Sequence, residues 1–361
     1  MITQQDVMEV LKTVKDPELG RSLVDLGMIR TVEVEGDKVK VVVALTIAGC
    51  PMKKRIVEDV RNAVKTLGVR EVEVELTTMT PEEKEKIFGP KAKQVKEKKA
   101  LKDVRHIIAV ASGKGGVGKT TVAVNLAVAL SKKGYKVGIL DADIYGPNVH
   151  ILMGLEGEKP FSRDQKLIPV ERWGIKVMSF GFLAPEGQPI IWRGPLIHRA
   201  LSDLAEVVDW GVLDFLVIDL PPGTGDAPLT VAQEFPLRGV VVVTTPQRLS
   251  IADVSRSINM FNELGTRIIG IVENMAYLKA GDQEIPVFGE GGGEKLAHEL
   301  RVPFLGKIPL DPEISKSGDI GKPAALNPET PVGKIYAEIA DKVVDKALEY
   351  EKLGSCGLKR V

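Results

Sequence analysis

The sequence predicts an α/β chain, a mostly parallel sheet covered by helices on both faces, preceded by a small N-terminal α+β domain. Three observations carry this expectation. From Val104 onward short apolar runs alternate with helix-patterned stretches, the pattern of strands buried on both faces and joined by helical crossovers. The run His106 to Ala111 passes directly into Ser112-Gly-Lys-Gly-Gly-Val-Gly-Lys-Thr-Thr121 and then into the helix-patterned Val122 to Leu130, so a glycine loop joins a strand to a helix. Before residue 80 the order is different: helix, hairpin, helix, strand. The expected division is therefore 1–80 for the small domain, 81–103 for a charged linker and 104–361 for the large one.

The whole chain bounds the answer. It has 361 residues, 44% hydrophobic, with 49 basic and 49 acidic side chains, which describes a globular protein with no global electrostatic pull toward nucleic acid or acidic membranes. No run approaches the roughly 18 apolar residues of a membrane span. The start Met1-Ile-Thr-Gln-Gln-Asp6 lacks the basic-then-apolar form of a signal peptide, so the expected location is cytoplasmic. The two cysteines, Cys50 and Cys356, provide neither a disulfide framework nor a C-x-x-C pair.

Within the first domain, Val7, Val10, Leu11 and Val14 stand at helical spacing. Ile29 to Val34 and Lys38 to Thr46 flank Glu35-Gly36-Asp37 as a hairpin, Pro51 to Leu67 is an amphipathic helix, and Val69 to Leu76 alternates as a third strand. Cys50 precedes the first turn of that second helix, where the dipole stabilises a thiolate. It is a candidate ligand or nucleophile, or else a small buried apolar residue. The motifs Asp16-Pro-Glu-Leu19, Val24-Asp-Leu-Gly-Met-Ile29 and Thr46-Ile-Ala-Gly-Cys-Pro51 resemble the PaaD-like domain that accompanies iron-sulfur assembly factors, whose cysteine stands in the matching Gly-Cys-Pro position. Pro81 to Lys102 is almost wholly charged, has Gly89-Pro90 at its middle and reads as a linker.

In the large domain, Gly113 to Thr120 fit G-x-x-x-x-G-K-[ST], the signature of a P-loop NTPase. The backbone N–H groups of Gly113, Lys114, Gly115, Gly116, Val117 and Gly118 would face phosphate oxygens, and the helix beginning beyond Thr121 adds its dipole. Lys119 would pair with the β- and γ-phosphates of ATP, and the Thr120 hydroxyl would ligate Mg²⁺. The strand Lys136 to Leu140 ends in Asp141 and Asp143, at the sheet end where such folds hold ligands. Asp143 is the candidate for orienting the attacking water, with a capping carboxylate as the alternative, and Asp141 lies nearer the Mg²⁺ shell. Phe215-Leu-Val-Ile-Asp219 has the form of the second nucleotide motif, its aspartate facing Mg²⁺, and Leu220 to Asp226 suits a switch segment. Val240 to Thr244, Arg267 to Val272 and Phe304 to Ile308 are further buried strands. Val332 to Leu353 is a closing helix with no Trp or Phe on its apolar face and with acids mixed among lysines, which argues against membrane binding.

Lys114, a second lysine in the loop, makes K-G-G-V-G-K-T-T resemble the deviant phosphate loop of the nitrogenase-iron-protein, MinD and ParA class. The resemblance implies a homodimer in which Lys114 reaches the partner's nucleotide. Asp141-Ala-Asp-Ile-Tyr-Gly-Pro-Asn148, Ile191-Trp-Arg-Gly-Pro195, Ile218 to Asp226, Thr245-Pro-Gln247 and Phe288-Gly-Glu-Gly-Gly-Gly-Glu294 are together similar to the Mrp family of iron-sulfur carrier ATPases. That similarity implies adenine contacts from Asn274 and the Pro309 to Asp311 turn, a family-specific segment at Trp192-Arg193-Gly194-Pro195, and iron-sulfur client or scaffold proteins as partners. The chain departs from the family between Met275 and Phe288, where many members carry a C-x-x-C and this one has none. Cluster ligation needs thiolates, so a cluster would fall to Cys50 and be labile and exchangeable. The competing expectations are a MinD- or ParA-type switch ATPase that handles no cluster and a nucleotide-dependent scaffold with negligible turnover.

Overall fold

The computed structural model of the chain describes residues 2–16, 21–45, 53–79, 101–182, 194–281 and 283–352. They fall into two units with separate hydrophobic cores. The segment 81–100, Cys50, Cys356, Trp192 and Arg193 lie outside the described residues.

The first unit opens with α1 (Gln4–Leu11), which starts on a capping box. The Asp6 N–H donates to Thr3 Oγ1 at 3.2 Å and the Thr3 N–H donates to the Asp6 carboxylate at 2.8 Å. Strands β1 (Ile29–Glu35) and β2 (Lys38–Leu45) form the antiparallel hairpin. After helix α2 (Lys53–Lys65), strand β3 (Glu71–Thr78) joins β2 in parallel. The core is built from Val7 and Leu11 of α1, Val39, Val41 and Val43 of β2, and Ile56, Val60 and Val64 of α2. The last three are spaced four apart, on one helix face. The other face of β2 carries Lys38 and Lys40, paired across to Glu71 and Glu75 at 3.2 and 2.9 Å. Exposed pairs of this kind add little stability.

The second unit runs β4 (Val104–Ser112), α3 (Lys119–Lys132), β5 (Val137–Asp141), α4 (Val149–Leu152), β6 (Phe161–Arg163), β7 (Lys166–Ile168), β8 (Val170–Arg172), β9 (Ile175–Ser179), α5 (Gly194–Val207), β10 (Leu213–Asp219), α6 (Asp226–Glu234), β11 (Gly239–Thr244), α7 (Arg248–Glu263), β12 (Ile268–Glu273), β13 (Leu278–Ala280), β14 (Gln283–Ile285), α8 (Gly292–Leu300), β15 (Phe304–Lys307), α9 (Pro312–Asp319) and α10 (Pro331–Lys352). Its eight-stranded sheet has the order β15-β12-β11-β4-β10-β5-β9-β8, parallel throughout except for the antiparallel edge pair β8 and β9. The sequence reading anticipated every strand of this sheet but those last two.

Helix α3 starts at Lys119, a turn before its apolar pattern, so the loop's lysine and threonines are already helical. From Val122 to Leu130 it is buried on all sides, as a core helix must be. Its one polar core residue, Asn125, is satisfied: Nδ2 donates to Thr121 O at 2.9 Å and Oδ1 accepts from Ala325 N–H at 2.8 Å. Helix α10 closes the unit by burying Tyr336, Ile339, Val343 and Ala347, while Tyr350 Oη donates to Ile268 O at 3.0 Å. Among the described residues no helix is long and apolar enough to cross a membrane.

What this architecture positions is a row of strand carboxyl ends. Strand β4 ends in the glycine loop, and β10, β5 and β9 end in Asp219, Asp141 and Ser179, which stand in register with one another. On the other side β11 ends in Thr244, in register with Glu273 of β12.

Candidate nucleotide site

The loop is held in shape by its own chain. Gly116 and Gly118 have φ of +77° and +81°, where a side chain would be strained. A Cβ on Gly118 would also collide with the amide of Asn274. Asn274 donates Nδ2 to Val117 O at 2.9 Å and its backbone N–H to Thr244 O at 2.7 Å, fixing the loop to the ends of β11 and β12. At the loop's start Ser112 Oγ donates to Lys114 O at 2.9 Å. In contrast, among the described residues a Cβ on Gly115 or Gly116 would meet no atom within 4 Å. The floor is rigid and the space above it is open, which is the form a phosphate needs if it is to reach backbone N–H groups.

Charge is concentrated beside this floor. Lys119, only 6% exposed, donates Nζ to Asp219 Oδ1 at 2.6 Å and to Thr120 Oγ1 at 3.2 Å, and Thr120 Oγ1 donates to Asp219 Oδ2 at 2.8 Å. Burial pushes the Asp219 carboxyl up, while Lys119 and Thr120 pull it back; a carboxylate this close to an ammonium is held ionised. Asp141 is wholly buried, and burial, followed by the neighbouring Asp219 charge, pushes it up to about 7. Its oxygens accept from Asp143 N–H, Val149 N–H and Ser179 O–H. Asp143 is partly exposed, also pushed up by burial, and Lys119 acts on it in the opposite direction. The Gly146 N–H reaches its Oδ1 at 3.3 Å, so the capping geometry is present as well.

The remaining predicted residues are placed as follows. Lys114 is partly buried and Val117 is buried in the loop. The Thr121 carbonyl is taken by Asn125. The turn at Pro309 and Leu310 is tied to the segment after Asn274 by Leu310 N–H to Tyr277 O at 2.7 Å and Ala276 N–H to Ile308 O at 2.9 Å. Asp311 accepts from Glu313 N–H at 2.8 Å as the cap of α9. Asn274 and the Pro309 to Asp311 turn thus come together at the ends of neighbouring strands β12 and β15. The segment after Met275 forms the hairpin β13–β14, with Ile285 at its end and Val287 beyond it both exposed. Among the described residues no group of His, Cys, Asp and Glu could by itself hold a metal ion. A divalent cation beside Thr120 would take phosphate oxygens and water among its ligands.

Sequence reasoning missed three residues of this site region. Ser179 and His150 lie in contact beside Asp141, and Glu273 accepts from Gly293 N–H at 2.5 Å. Glu273 was legible only as the residue before Asn274, and Ser179 ends a strand that Lys176 interrupts.

The comparisons fit this geometry. The family model described as NUBPL iron-transfer P-loop NTPase matches residues 103–344, and one described as iron-sulfur cluster assembly protein matches residues 4–76. An iron-sulfur cluster carrier protein of Synechocystis sp. is 45% identical over 96% of this chain and 98% of its own length. One from Pyrococcus horikoshii is 46% identical over 76% of this chain and 97% of its own. Among solved structures, a nucleotide-binding protein from Archaeoglobus fulgidus in complex with ADP, with Co, has 43% identity and a TM-score of 0.57, covering 67% of this chain and 94% of that one. The cell-division ATPase MinD of Pyrococcus furiosus has 25% identity and a TM-score of 0.51, covering 66% and 98%. With one family model spanning most of the chain and relatives this similar along nearly all of it, the chain belongs to the NUBPL-type iron-transfer P-loop NTPases, with an N-terminal iron-sulfur cluster assembly domain.

Proposed function

We propose that this protein binds ATP with Mg²⁺ in the 113–121 loop, hydrolyses it as a homodimer in the cytoplasm, and couples that cycle to carrying iron-sulfur clusters to client proteins. The observation that carries the reading is the buried Lys119, paired with Asp219 and touching Thr120 at the foot of an open glycine loop. Bound Mg²⁺ supplies neutralisation of charge on the transferred phosphoryl group. Lys119 would exchange its Asp219 partner for β- and γ-phosphate oxygens, and Thr120, with Asp219 and Asp141 around it, would hold the cation. Asp143 accepts a hydrogen bond from the attacking water and so orients it. Lys114 reaches the nucleotide of the second subunit, and Asn274 with the Pro309 to Asp311 turn holds adenine.

The cluster is cargo. No cysteine occurs in residues 276–287, and two copies of Cys50 are the thiolates proposed for it. Because a cluster takes four thiolates as a rule, two from the dimer leave it labile, which suits transfer. Anaerobic reconstitution with iron and sulfide tests this. Wild type should take up both, Cys50→Ser should lose them, and ATP turnover should survive in the variant. An iron-free wild type that still hydrolyses ATP would refute the carrier reading and favour a MinD-type switch.

A further inference from the structure

Resting on the reading of Asp143 given above, we propose that Asp141 acts as a clasp on the loop 142–149, and that Ser179 and His150 hold the clasp closed and thereby position Asp143. The two ends of the loop converge on one carboxylate. Asp141 Oδ1 accepts from Asp143 N–H at 3.1 Å, and Oδ2 accepts from Val149 N–H at 3.0 Å, six residues further on. Between these ties Tyr145, Gly146 and Asn148 are exposed, and the buried Ile144 is the loop's apolar anchor. The Ala142 N–H, bound to Asp219 O at 2.8 Å, secures only the entry. Where Asp143 points therefore depends on where the Asp141 carboxylate is held.

Ser179 holds it. It is wholly buried at the end of β9, in register with Asp141, and donates Oγ–H to Oδ2 at 2.9 Å. A hydroxyl has one proton and two acceptor sites. The proton is committed to Asp141, so the oxygen accepts from Gly181 N–H at 3.0 Å and from His150 Nδ1 at 3.4 Å. This assigns the proton of His150 to Nδ1. The imidazole sits in a cradle built for it. A Cβ on Gly181, whose φ is not in the left-handed region, would strike the His150 ring, and Phe182 stands edge-on with its centroid 5.8 Å away. Glycine at 181 is thus explained by the ring alone. His150 lies on α4, one residue past Val149, so the network closes on itself: Asp141, Ser179, His150, Val149, Asp141.

The test uses the full-length protein in three variants, with Asp143→Asn run in parallel. Ser179→Ala should slow single-turnover ATP hydrolysis about tenfold with ATP affinity changed less than about threefold, because a misplaced group costs rate and not binding. His150→Leu should do the same more mildly. His150→Asn, whose amide reaches the place of Nδ1, should restore the wild-type rate. Hydrogen exchange of the Asp143 and Val149 amides should accelerate in Ser179→Ala and His150→Leu and return to normal in His150→Asn, a readout independent of turnover. Thermal unfolding checks that each variant folds, and His150, being only partly buried, keeps the test open if Ser179→Ala does not. Unchanged exchange in that loop would overturn the proposal, as would equal loss of rate and affinity. If Asp143→Asn itself turns over normally, the reading of Asp143 fails, while the exchange data still decide the clasp.

Discussion

The chain contains two strand–glycine–helix turns that look alike in sequence and differ in what fills them. In 113–118 the glycines at 115 and 116 face open space, and the buried positive charge beside them belongs to Lys119. In 289–293 the helix α8 starts at Gly292 on a floor of equal glycine content, but the protein has already occupied it. Glu273, 1% exposed, places its carboxylate against Gly293 N–H at the helix N-terminus. A Cβ on Gly292 would collide with Pro246 O, and one on Gly293 would meet Thr244 Cγ2 at 3.0 Å. In the first turn Gly113 and Gly118 make room for Asp253 and Asn274 while Gly115 and Gly116 leave room for a ligand; in the second, Gly292 and Gly293 make room for the chain's own strand ends. A helix N-terminus attracts an anion in either case; whether the anion is internal decides whether the turn is a site.

Four measurements probe this contrast. The largest effect is expected from Lys119→Ala, which should weaken ATP binding by at least about 100-fold in calorimetry, since the charged contact to phosphate is lost. Near-normal affinity would remove the distinction between the two turns. Next, Glu273→Ala should cost about 2 kcal/mol of unfolding free energy by leaving buried N–H groups without their acceptor, with ATP affinity held within about threefold. A loss of ATP binding comparable to that of Lys119→Ala would show that the second turn also serves the ligand. A crossed pair of glycine variants follows. Gly292→Ala should cost about 1–2 kcal/mol through overpacking and spare ATP binding, whereas Gly115→Ala should leave stability within about 0.5 kcal/mol and weaken ATP binding. The reverse pattern in denaturation and calorimetry would break the comparison.

The smallest effect lies at the opposite end of β4. His106 is 1% exposed with neither ring nitrogen hydrogen-bonded among the described residues, and burial holds its pKa below the usual value, partly offset by Glu351 at 3.9 Å. The folded state keeps it neutral while the unfolded chain takes up a proton near about pH 6.5. Its contribution is therefore intact above that pH and lost as pH falls toward the depressed folded value. His106→Phe should flatten the fall in Tm between about pH 7.5 and 5.5, with ATP binding unaffected; an unchanged slope would assign the acid sensitivity elsewhere.

The sheet's centre was legible because β4, β5, β10, β11 and β12 are continuous apolar runs, each ending in a residue that cannot be core filler. The β9–β8 edge was not. Ile175 to Ser179 is interrupted by Lys176 and follows directly on a turn at Trp173 and Gly174, and β8 is three residues, too short for any period to register. Local pattern also could not show that Asp141 and Ser179 are neighbours, because they meet only through strand order. The phosphate loop was legible for the opposite reason: all of its chemistry lies within ten consecutive residues. Glu273 shows the limit of motif reading, since its partner glycine is visible and the carboxylate that explains it is 20 residues upstream of Gly293.

Helix α10 is made after every strand it covers. Its residues Tyr336, Ile339 and Val343 are core, Lys342 Nζ binds Leu305 O at 2.7 Å, and Arg267 Nη1 reaches back to Tyr350 O at 3.1 Å. During synthesis the ribosome therefore releases a complete phosphate loop while the β12 and β15 side of the sheet still lacks its covering helix. A nascent chain stalled at residue 330 should be cut within the sheet by a protease that the finished chain resists, and equal resistance would show that the sheet can mature without its last helix. Nucleotide binding early in translation would then act on an unfinished fold.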